Sequence, residues 1–226
     1  MPRRANTEPR LRDAERTKAR ILEAATDLFT RLGPGATSID DISTKAGVNR
    51  GLVHHYFRTK DALFDQVLVR PLTSFLESHV EFLQARPDLE GLCSATRSFF
   101  HFLGRHPELV RLLAWTLAMR RILLGDGAQL ELTRALMTRL VHRIEQAQAA
   151  GALRKELSAP HLLVTIVDLC VSWHLSADDW AAKLGWSSRP RPEVDEERLD
   201  AIVDVVAAAA RPYPTPVTSP TPVEIP

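Results

Sequence analysis

The chain is poor in cysteine and aromatic residues and carries almost no net charge: two Cys, 6% Phe, Trp and Tyr, and a formal charge of +1 over 226 residues. Two cysteines cannot build a disulfide scaffold, and both Cys93 and Cys170 sit in apolar, helix-like surroundings. They are read as small core residues in a reducing cytoplasm. No uninterrupted apolar run approaches the roughly 20 residues that span a bilayer. The basic N-terminus lacks the apolar stretch of a secretory signal, so neither export nor membrane association is expected. Enzyme signatures are missing too: there is no glycine-rich phosphate loop after a strand, no Gly-x-Ser-x-Gly and no His-Glu-x-x-His. His54 and His55 are adjacent, so on a helix they diverge by about 100° and do not chelate one metal. The remaining histidines lack i, i+4 ligand spacing, so no catalytic residue, metal or cofactor is expected.

What the sequence does contain is helical periodicity, with no strand alternation. Glu15 to Leu32 repeats Ile21, Leu22, Ala25, Leu28, Phe29 and Leu32 on one face, as an amphipathic helix does. Gly33-Pro34-Gly35 stops it. Further helices are predicted at about Asp61–Leu83, Leu89–Arg105, Pro107–Leu124, Ala128–Ala150, Ala159–Ala182 and Glu193–Arg211. Prolines 87, 107 and 160 fall near helix starts, where a missing N–H costs nothing. Beyond Arg211 the repeated prolines forbid both helix and sheet.

The segment Ser38–Phe57 is the most informative. Ser38 can cap a short helix, with Asp41 three residues on in a capping-box position. Gly47 ends that helix and Val48 plugs the turn. Asn49 can cap a second helix, with Val53 and Phe57 inward and Arg50, Gly51, His54 and His55 on or near the outer face. Helix, glycine turn, helix is the arrangement whose second helix reads DNA bases. A core hairpin gives the same pattern, but it would not present Arg, His and His outward.

The run Arg20-Ile-Leu-Glu-Ala-Ala-Thr-Asp-Leu-Phe29, continued by Gly33, Thr37, Ile42, Ala46-Gly-Val48, Gly51, His55-Tyr-Phe57, Lys60 and Leu63, resembles the TetR (tetracycline-repressor-like) family of bacterial transcription regulators. The likeness covers about the first third of the chain, in register and without gaps. It implies an all-α fold, with an N-terminal three-helix helix-turn-helix DNA-binding domain and a C-terminal helical domain that binds a small effector and forms a homodimer. The expected division is a flexible basic arm at 1–14, the helix-turn-helix domain at 15–62, the effector and dimerisation domain at 63–211, and a Pro-rich disordered tail at 212–226. The arm is read either as following a DNA groove or as a solvated tail.

The implied function is a ligand-responsive, sequence-specific DNA-binding regulator, a repressor released from a palindromic operator by a small molecule. The alternative is a helical protein-interaction module that keeps the fold without operator binding; retention of Tyr56 and Lys60 argues against it. Charge agrees with DNA as partner. Residues 1–70 hold 13 basic and 9 acidic residues, a net of +4, and the remainder 16 and 19, a net of −3. Arg50 and Gly51 are expected at the bases. Leu52 and His54 depart from the Thr or Ser and the Tyr common in the family, which suits Leu52 to a thymine methyl. The resemblance puts Tyr56 and Lys60 on phosphates, with Thr37 and Thr44 as weaker candidates and Asn49 and His55 also in the interface. Asp40, where relatives are often basic or polar, is left out.

For the body, large side chains on central helices (Phe99, Trp115, Met119, Trp173) and embedded polar ones (His101, Thr116, Arg120, Asp168, His174) are candidates for an effector site. Ordinary close packing is the competing reading for each, and an intramolecular or cross-dimer Arg or His partner is the alternative for Asp168. Leu162-Leu-Val-Thr-Ile-Val-Asp-Leu-Cys-Val171 is apolar nearly all round and needs cover on both sides. The last helix carries two apolar stripes. Leu162, Ile166, Leu169, Ile202, Val205 and Ala209 are therefore expected at a dimer interface, a wide monomer core being the alternative.

Overall fold

The computed structural model describes residues 7–118 and 127–213, and among them all regular structure is helical. The head is built from α1 (Thr7–Ala36), α2 (Ile39–Ala46), α3 (Arg50–Phe57) and the start of α4 (Lys60–Ala85). The body comprises the rest of α4 with α5 (Leu89–Arg105), α6 (Pro107–Ala118), α7 (Gly127–Ala149), α8 (Ala159–Lys183) and α9 (Arg191–Ala210). Because α4 begins in the head and continues into the body, the expected boundary at 62/63 falls inside a helix. Pro71 lies within α4 and removes one N–H from its ladder near that passage. Helix α1 begins at Thr7, so half of the segment expected to be a flexible arm is helical. Residues 1–6 and 214–226 lie outside the described residues, as do Met119 and Arg120.

Local chemistry explains the short helices. The Ser38 Oγ accepts from the Asp41 N–H at 3.1 Å, and the Asp41 carboxylate accepts from the Ser38 N–H at 2.9 Å. Two amide donors that the helix cannot use are thereby satisfied. Hydrogen bonding from Ser38 also holds the Asp41 carboxyl below the usual carboxylate range. Gly47 closes α2 at φ 62°, ψ 41°, and the Arg20 guanidinium from α1 donates to the Ala46 and Gly47 carbonyls. A Cβ at Gly47 would come within 2.7 Å of that guanidinium. Asn49 caps α3 through the Leu52 N–H at 2.9 Å, and Thr59 caps α4 through the Ala62 N–H at 3.0 Å.

An eight-residue helix does not persist alone in water. What holds α3 is burial of Val53 and Phe57 in a core with Ile21, Phe29, Ile42, Leu63 and Phe64. Each such side chain contributes roughly 1.5–3 kcal/mol when fully buried. Phe29 and Phe64 meet edge to face, their ring centroids 5.2 Å apart.

In the body, α8 packs against α5, α6, α7 and α9. Among the described residues it alone has the length and apolar composition to cross a membrane, which the sequence reading did not anticipate. It carries Asp168 on its exposed side and buries Leu162, Ile166, Cys170, Trp173 and Ala177 on the other, in the core shared with α9. Leu162, Ile166 and Ile202 are thus buried in the monomer's own core and not on an outer face, which corrects the expectation that they line a dimer interface. Both cysteines are free; burial raises the Cys93 thiol and pushes Cys170 up to about 12.

Head and body meet where α6 crosses α1. Helix α1 is broken at Gly33, whose φ of 78° and ψ of 161° belong to a region that only glycine occupies readily. The Trp115 ring from α6 lies directly over it, so a Cβ there would sit 2.9 Å from two ring carbons. Backbone and packing therefore demand glycine independently. Gly33→Ala should cost about 1–3 kcal/mol from backbone strain alone, read as a lower midpoint in thermal unfolding. Gly33→Ala combined with Trp115→Ala should recover only part of the loss, because the second change relieves the clash and not the backbone. Full recovery would show that the backbone conformation carries no cost.

Candidate nucleic-acid interface

The outer face of α3 is solvent-exposed where its inner face is not. Arg50, His54 and His55 are exposed and Leu52 and Tyr56 half-buried, while Val53 and Phe57 are buried. Asn49 is exposed and its side chain already serves as the cap. Gly51 is exposed, and a Cβ there would stand 3.2 Å from the Asn49 Oδ1. Its small size therefore also keeps the cap undisturbed. His55 and Tyr56 contact edge to face, their ring centroids 5.2 Å apart.

The Arg50 guanidinium is not free. Its Nη1 donates to both oxygens of the Asp40 carboxylate, at 3.1 and 3.0 Å, and its Nε reaches the His54 Nε2 at 3.4 Å. The His54 Nδ1 lies 3.1 Å from the Arg58 carbonyl oxygen. Sequence reasoning left Asp40 out because a carboxylate cannot meet phosphate. Docking of α2 against α3 brings Asp40 onto Arg50, a pairing that their separation in sequence does not show.

The anchoring candidates divide. Thr44 is exposed. Thr37 is 1% exposed and donates its hydroxyl to the Gly33 and Leu28 carbonyls at 2.8 and 3.3 Å. It ties off the end of α1, which corrects its assignment to the interface. Lys60 is half-buried and donates to the Thr37 carbonyl at 2.9 Å, which leaves two of its three ammonium protons for other acceptors. Beside α3 a cleft of about 370 Å³ is lined by Lys18, Tyr56, Arg58 and the Thr59 cap. Lys18 and Arg58 were missed in the sequence, where their only signal was charge beside the helix-turn-helix. Arg58 adopts φ 55°, ψ −55°, an unusual backbone for a non-glycine residue.

Comparison with known proteins identifies this arrangement. Residues 21–67 match the family described as bacterial regulatory proteins, tetR family, and residues 88–211 match the tetracyclin repressor-like C-terminal domain. The chain belongs to the TetR family. It is 29% identical over 201 residues to the HTH-type transcriptional repressor SCO4008 of Streptomyces coelicolor, covering 88% of this chain and 96% of that protein. It is 31% identical over 166 residues to the HTH-type transcriptional repressor NicS of Pseudomonas putida, covering 71% and 77%. Among solved structures, the transcriptional regulator SCO4942 from Streptomyces coelicolor superposes with a TM-score of 0.65 at 24% identity, over 86% of this chain and 98% of that one. FadR from Bacillus subtilis, solved with stearoyl-CoA, gives 0.65 at 14% identity, over 85% and 98%. The protein is a DNA-binding transcriptional regulator, which is not an enzyme class. Among the described residues no group of three His, Cys, Asp or Glu side chains is placed to hold a metal.

The described effector candidates of this TetR-family body have different surroundings. Trp115 covers Gly33 at the head–body joint. His101 and Asp168 are exposed, His101 lying 3.7 Å from the Glu196 carboxylate. Asp168 shares the exposed face of α8 with Val164 and Leu175. Thr116 is buried and bonded to the Leu112 carbonyl. Trp173 is buried, its indole N–H donating to Asp195 at 2.7 Å. Phe99 is buried, and His174 meets the Phe100 carbonyl at 3.0 Å.

A different polar pair is embedded among aromatic rings. The His79 Nδ1 lies 2.8 Å from the Phe75 carbonyl oxygen and its Nε2 2.7 Å from the Ser98 hydroxyl. The His79 ring stacks on Phe75 at 3.8 Å, and Phe75 on Phe102 at 4.1 Å. A lone His on an amphipathic helix gave no sign of this partner 19 residues on.

Burial pushes both His79 and His174 below the ordinary imidazole value of 6.5, against their backbone hydrogen bonds. Their neutral forms belong to the folded state. The stability they contribute is full above 6.5 and is lost as pH falls below it through the depressed folded values. Denaturant unfolding between pH 7 and pH 5 should show this decline. His79→Gln with His174→Gln should flatten it; an unchanged slope in the double variant would assign the decline to other groups.

Proposed function

We propose that two copies of this chain act together as a repressor. Each lays α3 in a major groove, and the pair reads two half-sites of a pseudo-palindromic operator. The observation that carries this reading is α3 itself. Val53 and Phe57 are consumed in holding the helix to the head, and its polar face is left outward. Arg50, in the first turn, has the fork geometry for guanine O6 and N7. Leu52 suits a thymine methyl, and Tyr56 and Lys60 suit phosphate, with Lys18 and Arg58 beside them. The repressor function of SCO4008 and NicS supports the sign of regulation.

Dimerisation through α8 and α9 is supported by what those helices leave uncovered. Val164, Leu175, Trp180, Leu184 and Val205 are large apolar residues with 38–58% exposure. A cleft of about 490 Å³ lined by Ser172, Trp180, Leu184 and Ala201 opens between the two helices. Of the six interface residues expected from sequence, Val205 is exposed and Leu169 and Ala209 are half-buried, so these three remain available.

We infer that a small apolar or amphipathic effector enters by parting the aromatic rings of Phe75, Phe99 and Phe102, where His79 and Ser98 would orient a polar group. The fold shared with FadR, which was solved with stearoyl-CoA, supports such a site. Binding there would alter the spacing of the two heads, a coupling free energy between sites. Trp115 over Gly33 is the contact through which a shift of α6 would reach α1. Action in the cytoplasm follows from this reading.

Selection from a random-sequence duplex pool tests the DNA assignment. Arg50→Ala should weaken binding to the selected site by about 1–3 kcal/mol and relax preference at one base pair. An unchanged motif would remove Arg50 from base reading. For the dimer, Val205→Glu and Leu175→Glu each place a carboxylate in an apolar contact, twice over by symmetry, at a cost of several kcal/mol. Sedimentation should find monomers at micromolar concentration with the head still folded. A dimer persisting in both variants would put the interface elsewhere.

A further inference from the structure

Asp40 and Arg50 lie ten residues apart on different helices, both more than 60% exposed, yet they meet through two hydrogen bonds of 3.0–3.1 Å. His54 completes the arrangement. Because an Arg Nε–H only donates, the His54 Nε2 must accept; its Nδ1 therefore carries the proton and donates to the Arg58 carbonyl. The guanidinium is pinned at Nη1 from α2 and at Nε from α3, and Nη2 is left as its unengaged corner.

We propose that Asp40 is a positioning residue that makes the DNA contact of Arg50 conditional on a base. This rests on the reading of Arg50 as the base-contacting residue. Sequence-independent binding is carried chiefly by phosphate oxygens. Arg50 already has an anionic partner, so exchanging Asp40 for a phosphate gains little, and Asp40 itself repels the backbone. A guanine presents two neutral acceptors, O6 and N7. The Nη2 corner, which Asp40 and His54 leave open, can turn to them while the carboxylate stays in place. Asp40 thus subtracts from sequence-independent affinity and keeps the guanidinium aimed at the groove floor. The apparent misfit of an acidic residue beside DNA becomes a source of discrimination.

The test uses the full-length protein, the duplex selected by wild type from a random pool, and a duplex of scrambled sequence. Asp40→Asn keeps shape and removes charge. It should bind the scrambled duplex roughly threefold to tenfold more tightly, with a salt slope steeper by up to about one, and lose preference at the base pair read by Arg50. In an Arg50→Ala background the same change should leave that preference where Arg50→Ala alone puts it. Asp40→Glu keeps the charge on a longer stem. It should hold scrambled-duplex affinity at the wild-type level while weakening the base preference. Melting curves confirm that each head is folded. If Asp40→Asn retains the wild-type motif while Arg50→Ala relaxes it, Asp40 has no positioning role. Equal effects of Asp40→Asn with and without Arg50 would overturn the coupling in the same way. A wild-type motif in Arg50→Ala itself identifies the base-reading assignment as the fault.

Discussion

The function of this protein rests on one constraint: an eight-residue helix must be held at a defined angle without support of its own. Helix α3 has too few residues to persist in water. Val53 and Phe57 anchor it to Ile21, Phe29, Ile42 and Phe64, and the Asn49 cap sets where it starts. Everything that α3 presents outward inherits its position from those apolar contacts. The Arg20 clamp on the end of α2 and the Lys60 bond to the Thr37 carbonyl serve the same end. Both commit a cation to the scaffold.

The head is tied to the body through α1, α4 and α6. The Gly33 break and the Trp115 ring form a close contact in which neither partner can grow. Close-packed contacts of this kind pass a displacement on and do not absorb it. Helix α4 crosses from head to body with Pro71 in its length, so one N–H to carbonyl bond is absent where bending has the most leverage on α3.

Electrostatics in the head are local and self-paired. Asp40 with Arg50, Asp27 with Lys45 and Arg31, and Asp41 with Ser38 neutralise or cap within the domain. The net charge of the N-terminal part therefore understates how selectively positive charge is exposed. Pairing of exposed ions is weak in water, so these contacts orient side chains more than they stabilise the fold.

Much of this was legible in the sequence because it depends on near neighbours. Caps at Ser38, Asn49 and Thr59, the glycine end at Gly47 and the inward spacing of Val53 and Phe57 are set within a few residues, and the structure has each of them. Family membership followed from the same segment. The errors fell where partners lie far apart in the chain. The apolar sequence neighbours of Asp168 did not show which face it would take; helix orientation puts it on the side of α8 away from the core of its own chain. Leu162, Ile166 and Ile202 looked like an interface, yet α8 and α9 consumed them in one core. Trp115 over Gly33, His79 on Ser98 and Asp40 on Arg50 required helices to be docked before the pairs existed. The sequence by itself determined the elements, their ends and their apolar faces, because backbone hydrogen bonding and side-chain period act locally. Which apolar face meets which, and which charge finds which partner, was decided by packing alone, since burial rewards any complementary surface and the chain does not write the address of its partner.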